Sequence, residues 1–153
     1  MIVLGEKMKI LLDADGSPVR DIVVELAKTY NVSLVMVSNV HHEINETYGT
    51  HIQVDSGADV ADHEILKRTE EGDLVVTQDY GLASLVLGKQ AYALHQNGWF
   101  YTDENIDMLL FQRHMGAKMR KASKRYGHTN KRKKEDNTRF RRVLNDFLEK
   151  RMA

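Results

Sequence analysis

Short apolar runs alternate with amphipathic stretches along this chain, and that alternation decides the fold class. Met8–Leu12, Val32–Ser38, Ile52–Asp55, Leu74–Thr77 and Ala91–Leu94 are too short for helices and rich in Val, Ile and Leu, as buried strands are. Pro18 predicts a helix start, as a first-turn proline, with Val19, Ile22, Val23, Leu26 and Ala27 at helical spacing. "ADVADHEILKRTEEG" reads as a helix closing at Gly72, and Gly81–Leu87 as one ended by Gly88. After the turn "HQNG", Trp99–Tyr101 reads as an edge ribbon, and Thr102 with Asn105 starts a helix through Met108, Leu109 and Met115. "TRFRRVLNDFLEK" supplies a closing helix with Phe140, Val143, Leu144, Phe147 and Leu148 on one face. Strands and helices in this order predict an α/β protein, a three-layer sandwich with a central, mostly parallel sheet.

A chain of 153 residues, 42% of them hydrophobic, is the size of one domain with a real core. No run approaches the roughly 18 apolar residues that cross a bilayer, and the N-terminus lacks a basic leader, so no membrane partner is expected and a cytoplasmic location is the default. The absence of Cys excludes disulfides and thiolate metal sites. The net charge of +0 hides an asymmetry: 13 Lys/Arg and two acids lie between Arg113 and Arg142, leaving nine basic and 20 acidic residues elsewhere. Such a division suits a polyanion for one part and cations for the other; the plain alternative is a solvated tail. The expected organisation is an α/β domain over 8–117, a basic mobile segment over 118–136 and a helix over 137–150 packing back on the domain.

In an open parallel sheet, ligands bind beyond the carboxyl ends of the strands. Asp13 and Asp15 follow the first strand, and Asp79 follows the strand ending at Thr77. Asp59 and Asp62, three apart, share a face at a helix start, with His63 beside them. If that helix begins at the same edge, all five acids meet there. Several close carboxylates persist only with a cation or with some of them protonated. All-oxygen ligation favours Mg²⁺ or Mn²⁺, which suits hydrolysis of phosphodiesters. Lys118, Arg120, Lys121, Lys124, Arg125, Lys131, Arg132, Lys133 and Lys134 would then hold phosphates, of RNA in preference to DNA. Taken singly, each acid has a structural reading as well: Asp59 and Asp62 at a helix dipole, Asp79 as a cap, Asp15 as a cap of the Pro18 helix.

"LLDADGSPVRD", "GADVADHEI", "GDLVVTQDYGLA", "YTDENI" and "TRFRRVLNDFL" resemble, in order, the motifs of the YaiI/YqxD family of bacterial proteins (UPF0178, DUF188), over Met8 to about Leu148. The resemblance implies a PIN-like fold, the fold of Mg²⁺- or Mn²⁺-dependent nucleases. By position it assigns the acidic site to Asp13 or Asp15, Asp59, Asp62 and Asp79, with Asn39 as a further candidate. Two positions depart from the family pattern: Ser17 replaces a Cys before the proline of the first motif, and Asn97 replaces an Arg before the glycine of the late turn.

Two other readings compete. A PIN-like domain can serve as a non-catalytic RNA-binding or interaction module. "DADGS" also resembles the first motif of haloacid-dehalogenase-type phosphatases, with Ser38 as a stand-in for their second motif. Those enzymes need a late acidic pair at a carboxyl strand end, whereas Gly72-Asp73 opens its strand. His41-His42 is expected to be solvated, and Trp99, Phe100 and Tyr101 either stack on bases or pack the sheet edge.

Overall fold

The computed structural model describes residues 8–39, 48–57, 59–122 and 132–152, with the side chains of 119–122 excepted. Its elements are β1 (Lys9–Asp13), α1 (Arg20–Tyr30), β2 (Ser33–Asn39), β3 (Thr50–Val54), α2 (Val60–Arg68), β4 (Leu74–Val76), α3 (Tyr80–Gly88), β5 (Tyr92–Leu94), β6 (Phe100–Tyr101), α4 (Asp103–Ala122) and α5 (Lys134–Met152).

One six-stranded sheet runs β3-β2-β1-β4-β5-β6. The first five strands pair in parallel and β6 joins antiparallel to β5, with Ala93 opposite Tyr101. Alternate side chains of a strand point to opposite faces, so β1 shows how the layers form. Ile10 and Leu12 enter one core with Val23, Leu26 and Ala27 of α1 and Phe140, Leu144 and Leu148 of α5. Leu11 enters the other with Ile65 of α2, Leu82, Ala83 and Val86 of α3, and Ile106 of α4. All three β1 residues are fully buried, because both faces of the sheet are covered. Each such side chain contributes roughly 1.5–3 kcal/mol. The three layers and the mostly parallel sheet are those the sequence predicts, and α5 buries the predicted apolar face.

Five boundaries differ from expectation. Helix α2 stops at Arg68 and does not reach Gly72. Thr69 is extended there, its hydroxyl donates to the Ile65 carbonyl, and the Asp73 carboxylate accepts from the amides of Glu70 and Lys9. Asp73 thus organises a turn that replaces the last helical turn, and its own charge is met by Lys9 Nζ at 2.7 Å. Helix α1 begins at Arg20, just after Pro18, and no side chain caps it. The edge strand β3 opens at Thr50, two residues before the expected run. Helix α4 runs on to Ala122, so Arg120 and Lys121 belong to a helix, and α5 begins at Lys134, three residues early. Of the predicted mobile segment, 123–131 lies outside the described residues, as do His41 and His42.

Candidate active site

The strand order reverses between β1 and β4: the chain steps outward from β1 through β2 to β3, then returns to β4 on the other side. A crevice opens at the carboxyl ends of the two strands flanking such a switch point. Asp13 is the last residue of β1, and Thr77 and Asp79 follow β4. The fold therefore delivers two of the predicted acids to the place where doubly wound sheets take ligands.

Thr77 joins them. Its hydroxyl donates to Asp13 Oδ2 at 3.1 Å and accepts from the Asp79 amide at 3.0 Å. Its own backbone is fixed by the Leu94 carbonyl and the buried Tyr101 hydroxyl, which donates to the Thr77 carbonyl at 3.1 Å. Burial raises the Tyr101 hydroxyl pKa far above the ordinary value and keeps it a neutral donor. Asp79 also caps α3, its Oδ1 accepting from the Leu82 amide at 3.0 Å, and Arg113 of α4 stands 3.8 Å from the same oxygen. The capping reading of Asp79 is thus satisfied without removing the residue from the edge.

Asp15 does not cap α1. Its two oxygens accept from the Asn39 amide at 3.0 and 3.3 Å, linking the ends of β1 and β2. Asn39 thereby takes its expected place at this edge, through its backbone. Asp59 occupies the N-cap position of α2 in the left-handed region, φ 68°, with no capping bond from its side chain. Such a conformation is uncommon outside glycine, although Asp tolerates it.

Asp59, Asp62, His63, Asp79, Leu85 and Arg113 line a cleft of about 380 Å³. Asp13, Asp15, Thr77 and Gln96 line a smaller depression. The five acids therefore occupy two depressions, with the Thr77 hydroxyl bridging Asp13 in one to the backbone of Asp79 in the other. Among the described residues, no three acidic or His side chains are grouped so as to hold a metal ion by themselves.

The electrostatics nonetheless couple them. Asp62 has its pKa raised to about 6, first by burial, then by the charges of Asp79 and Asp13, by a hydrogen bond with Asp79 and by the charge of Asp59. The Asp13 carboxyl is also raised, chiefly by burial and then by Asp15 and Asp79, with the Thr77 hydrogen bond opposing. Like charges at one site disfavour each other's ionisation.

The basic residues divide. Lys118, Lys133 and Lys134 are exposed. Arg120 and Lys121 sit on α4, but their side chains, like the whole of Lys124, Arg125 and Lys131, lie outside what is described. Arg132 is not a free phosphate hand. Its guanidinium donates to the Asn97 side chain, the Gln96 carbonyl at 2.8 Å and the Asn137 side chain, clamping the turn whose Gln96 lines the acidic depression. The Asn97 departure is thus met by an Arg from the basic segment.

Two expectations about other groups resolve structurally. The Ser38 hydroxyl is buried against His51 Nε2 at 2.8 Å, and Asp73 lies at the amino end of β4, away from the acids. Trp99 stacks on His95 at 4.3 Å between centroids and meets Tyr80 and Tyr101 edge-on, so it packs the sheet edge. Burial, then the Arg132 charge, lowers the His95 pKa to about 4, so the ring is neutral at pH 7. Sequence reasoning missed Thr77, Arg113 and Gln96. Only Thr77 had a local signal, a hydroxyl two residues before an acid at a helix cap.

Comparison with known proteins agrees with the sequence resemblance. The family described as "DUF188: Uncharacterized BCR, YaiI/YqxD family" matches residues 11–150. A UPF0178 protein of Alkaliphilus oremlandii is 53% identical over 142 residues, covering 93% of this chain and 92% of the relative. One from Natranaerobius thermophilus is 48% identical, covering 92% and 96%, and one from Oceanobacillus iheyensis is 39% identical, covering 94% and 100%. No solved structure matches significantly. Among the described residues, no helix is long and apolar enough to cross a membrane. With a family match over nearly all of its length and relatives identical at about half of the aligned positions, the chain belongs to the YaiI/YqxD family, UPF0178.

Proposed function

We propose that this protein is a divalent-cation-dependent nuclease that hydrolyses phosphodiesters of RNA, in preference to DNA, at the carboxyl edge of its sheet. The observation that carries the reading is positional. Carboxylates from three separate elements, after β1, after β4 and at the start of α2, lie in two neighbouring depressions at the switch point between the paired strands β1 and β4. The PIN-like resemblance implies the same chemistry.

The donor set fits Mg²⁺ or Mn²⁺ of a particular kind. Three-ligand protein cages are absent among the described residues, which argues against a closed structural site. Mg²⁺ keeps several waters and commonly takes one or two carboxylates together with substrate phosphates. Asp62 and Asp79, which line the same cleft, are the pair to hold it directly, with Asp13, Asp15 and Asp59 as the other members of the acidic set. A cation held there would neutralise charge at the scissile phosphate and lower the pKa of a water bound to it. Asp13 Oδ2 is held by the Thr77 hydroxyl, which leaves Oδ1 to accept a proton from the attacking water. Lys133 and Lys134 are exposed cations for the strand's phosphates, and Arg132 fixes the turn that carries Gln96 beside the acids.

A second reading, a non-catalytic RNA-binding module, is favoured by one observation: Asp79 already caps α3 and faces Arg113. Calorimetric titration of Mg²⁺ and Mn²⁺ into the metal-free protein, followed by cleavage of labelled RNA, separates the two. Saturable binding lost in Asp62→Asn and Asp79→Asn, with cleavage lost in Asp13→Asn as well, supports the nuclease. RNA binding without cleavage under saturating Mn²⁺ supports the module.

A further inference from the structure

Helix α4 carries apolar residues on two opposite faces. Ile106, Leu109 and Leu110 pack into the core beneath the sheet, and Arg113 on that side reaches Asp79. At 3.6 residues per turn, Met108, Phe111 and Met115 point the other way. They are 62%, 64% and 40% exposed. A helix with one packed face is ordinarily polar on the other, so this second stripe is not explained by the core of a single chain. With Glu104 and Lys118 it makes a seam stepping by four and three residues, the spacing along which two helices interlock.

We infer that α4 pairs antiparallel with α4 of a second copy of this chain, across a seam of Met108, Phe111 and Met115. The charges select this occupant and this direction. Both Glu104, at the start of the seam, and Lys118, at its end, are exposed. A two-fold axis near Phe111 sets Glu104 of one copy against Lys118 of the other at both ends, and Met108 against Met115. A parallel pair would set Glu104 against Glu104 and Lys118 against Lys118. The self-complementarity is that of an isologous interface, and Met and Phe are the residue types that fill the centres of such contacts. RNA is poorly suited to the same stripe, since its centre is apolar and the first turn of α4 carries Asp103 and Glu104. The acidic cleft lies on the Arg113 side of α4, so pairing leaves it open.

The test is sedimentation equilibrium on the full chain from roughly 1 to 200 µM, a range that captures low-micromolar association. The expected species has twice the 17.6 kDa chain mass. Phe111→Glu, at an exposed position, should keep its helical circular dichroism and weaken dimerisation at least ~30-fold. Glu104→Lys and Lys118→Glu should each weaken it, and the double variant should restore it to within about 3-fold of wild type, as a charge pair exchanged across the seam requires. A monomer over the whole range overturns the inference. So does a dimer indifferent to Phe111→Glu. Slow amide exchange of 108–115 in a monomer would overturn it too, and would assign the stripe to residues 123–131 of the same chain.

Discussion

Replacing Asp62 with Asn should stabilise the protein at neutral pH and leave it unchanged in acid. Asp62 sits half-buried among Asp79, Asp13 and Asp59, and its pKa is raised from 3.8 to about 6. The sign follows from proton binding. Between about pH 4 and 6 the native state holds a proton that the unfolded chain has released, so stability falls as pH rises through this window. Above pH 6 the full cost is present; below pH 4 both states are protonated and there is none. The gap corresponds to at most about 3 kcal/mol, at about 1.4 kcal/mol per tenfold change. Asp62 is far from fully buried, and water screens its neighbours, so ~1 kcal/mol is the expected net cost. Asn keeps a donor for Asp79 while removing the charge. Thermal unfolding without divalent ions should therefore show Asp62→Asn melting about 2–4 °C higher at pH 7.5, with the two curves merging at pH 4. Saturating Mg²⁺ should raise the wild-type melting temperature and narrow that gap, because a cation relieves the same repulsion. A variant that melts lower at pH 7.5, or a difference that does not change with pH, refutes the coupled acidic site.

Other predictions follow from neighbouring contacts. Asp79→Asn retains a capping oxygen for the Leu82 amide and should melt within about 2 °C of wild type, whereas Asp79→Ala should lose ~1 kcal/mol; both should abolish RNA cleavage, read on a labelled substrate. Gly98 has φ +89°, and a Cβ there would lie 2.7 Å from the Phe140 amide nitrogen and 2.8 Å from the Arg139 carbonyl carbon. Gly98→Ala should therefore cost about 3 kcal/mol or more, measured by urea unfolding, as the turn is driven off α5. Arg132→Ala removes the clamp on the 96–97 turn and the positive charge that lowers the His95 pKa, so the His95 titration, followed by NMR, should move up from about 4.

Much of this architecture was legible because burial on both faces of a parallel sheet writes continuous apolar runs. "KILLD" and "LVV" are such runs, and the acids that end or follow them, Asp13 and Asp79, were placed by the same logic. Boundaries set by side chains reaching across the fold were not legible. The end of α2 is decided by Asp73, which gathers the amides of Glu70 and Lys9, and Lys9 lies 64 residues away. Asp15 misled in the same manner: "DGSP" reads as a cap for the next helix, yet its carboxylate is held by the Asn39 amide at the end of β2, 24 residues away in sequence. Arg113 is one cation of a basic stretch, and only the packing of α4 on α3 turns it towards Asp79.

The same difference between local and distant causes bears on how the site came to hold its acids. Asp79 has work as a cap and Asp15 as a strand link, so both have structural reasons to be where they are. Asp59 and Asp62 lack that explanation. Asp59 is in a left-handed conformation without a capping bond, and Asp62 is half-buried among other carboxylates that raise its pKa. A helix start needs only one modest acid for its dipole, a gain of about 0.3–1 kcal/mol. The cost at Asp62 alone is of that size or larger, so the dipole does not account for placing it there. The proposed cation would offset that cost, and the inequality, more than the number of acids, is what helix capping leaves unexplained.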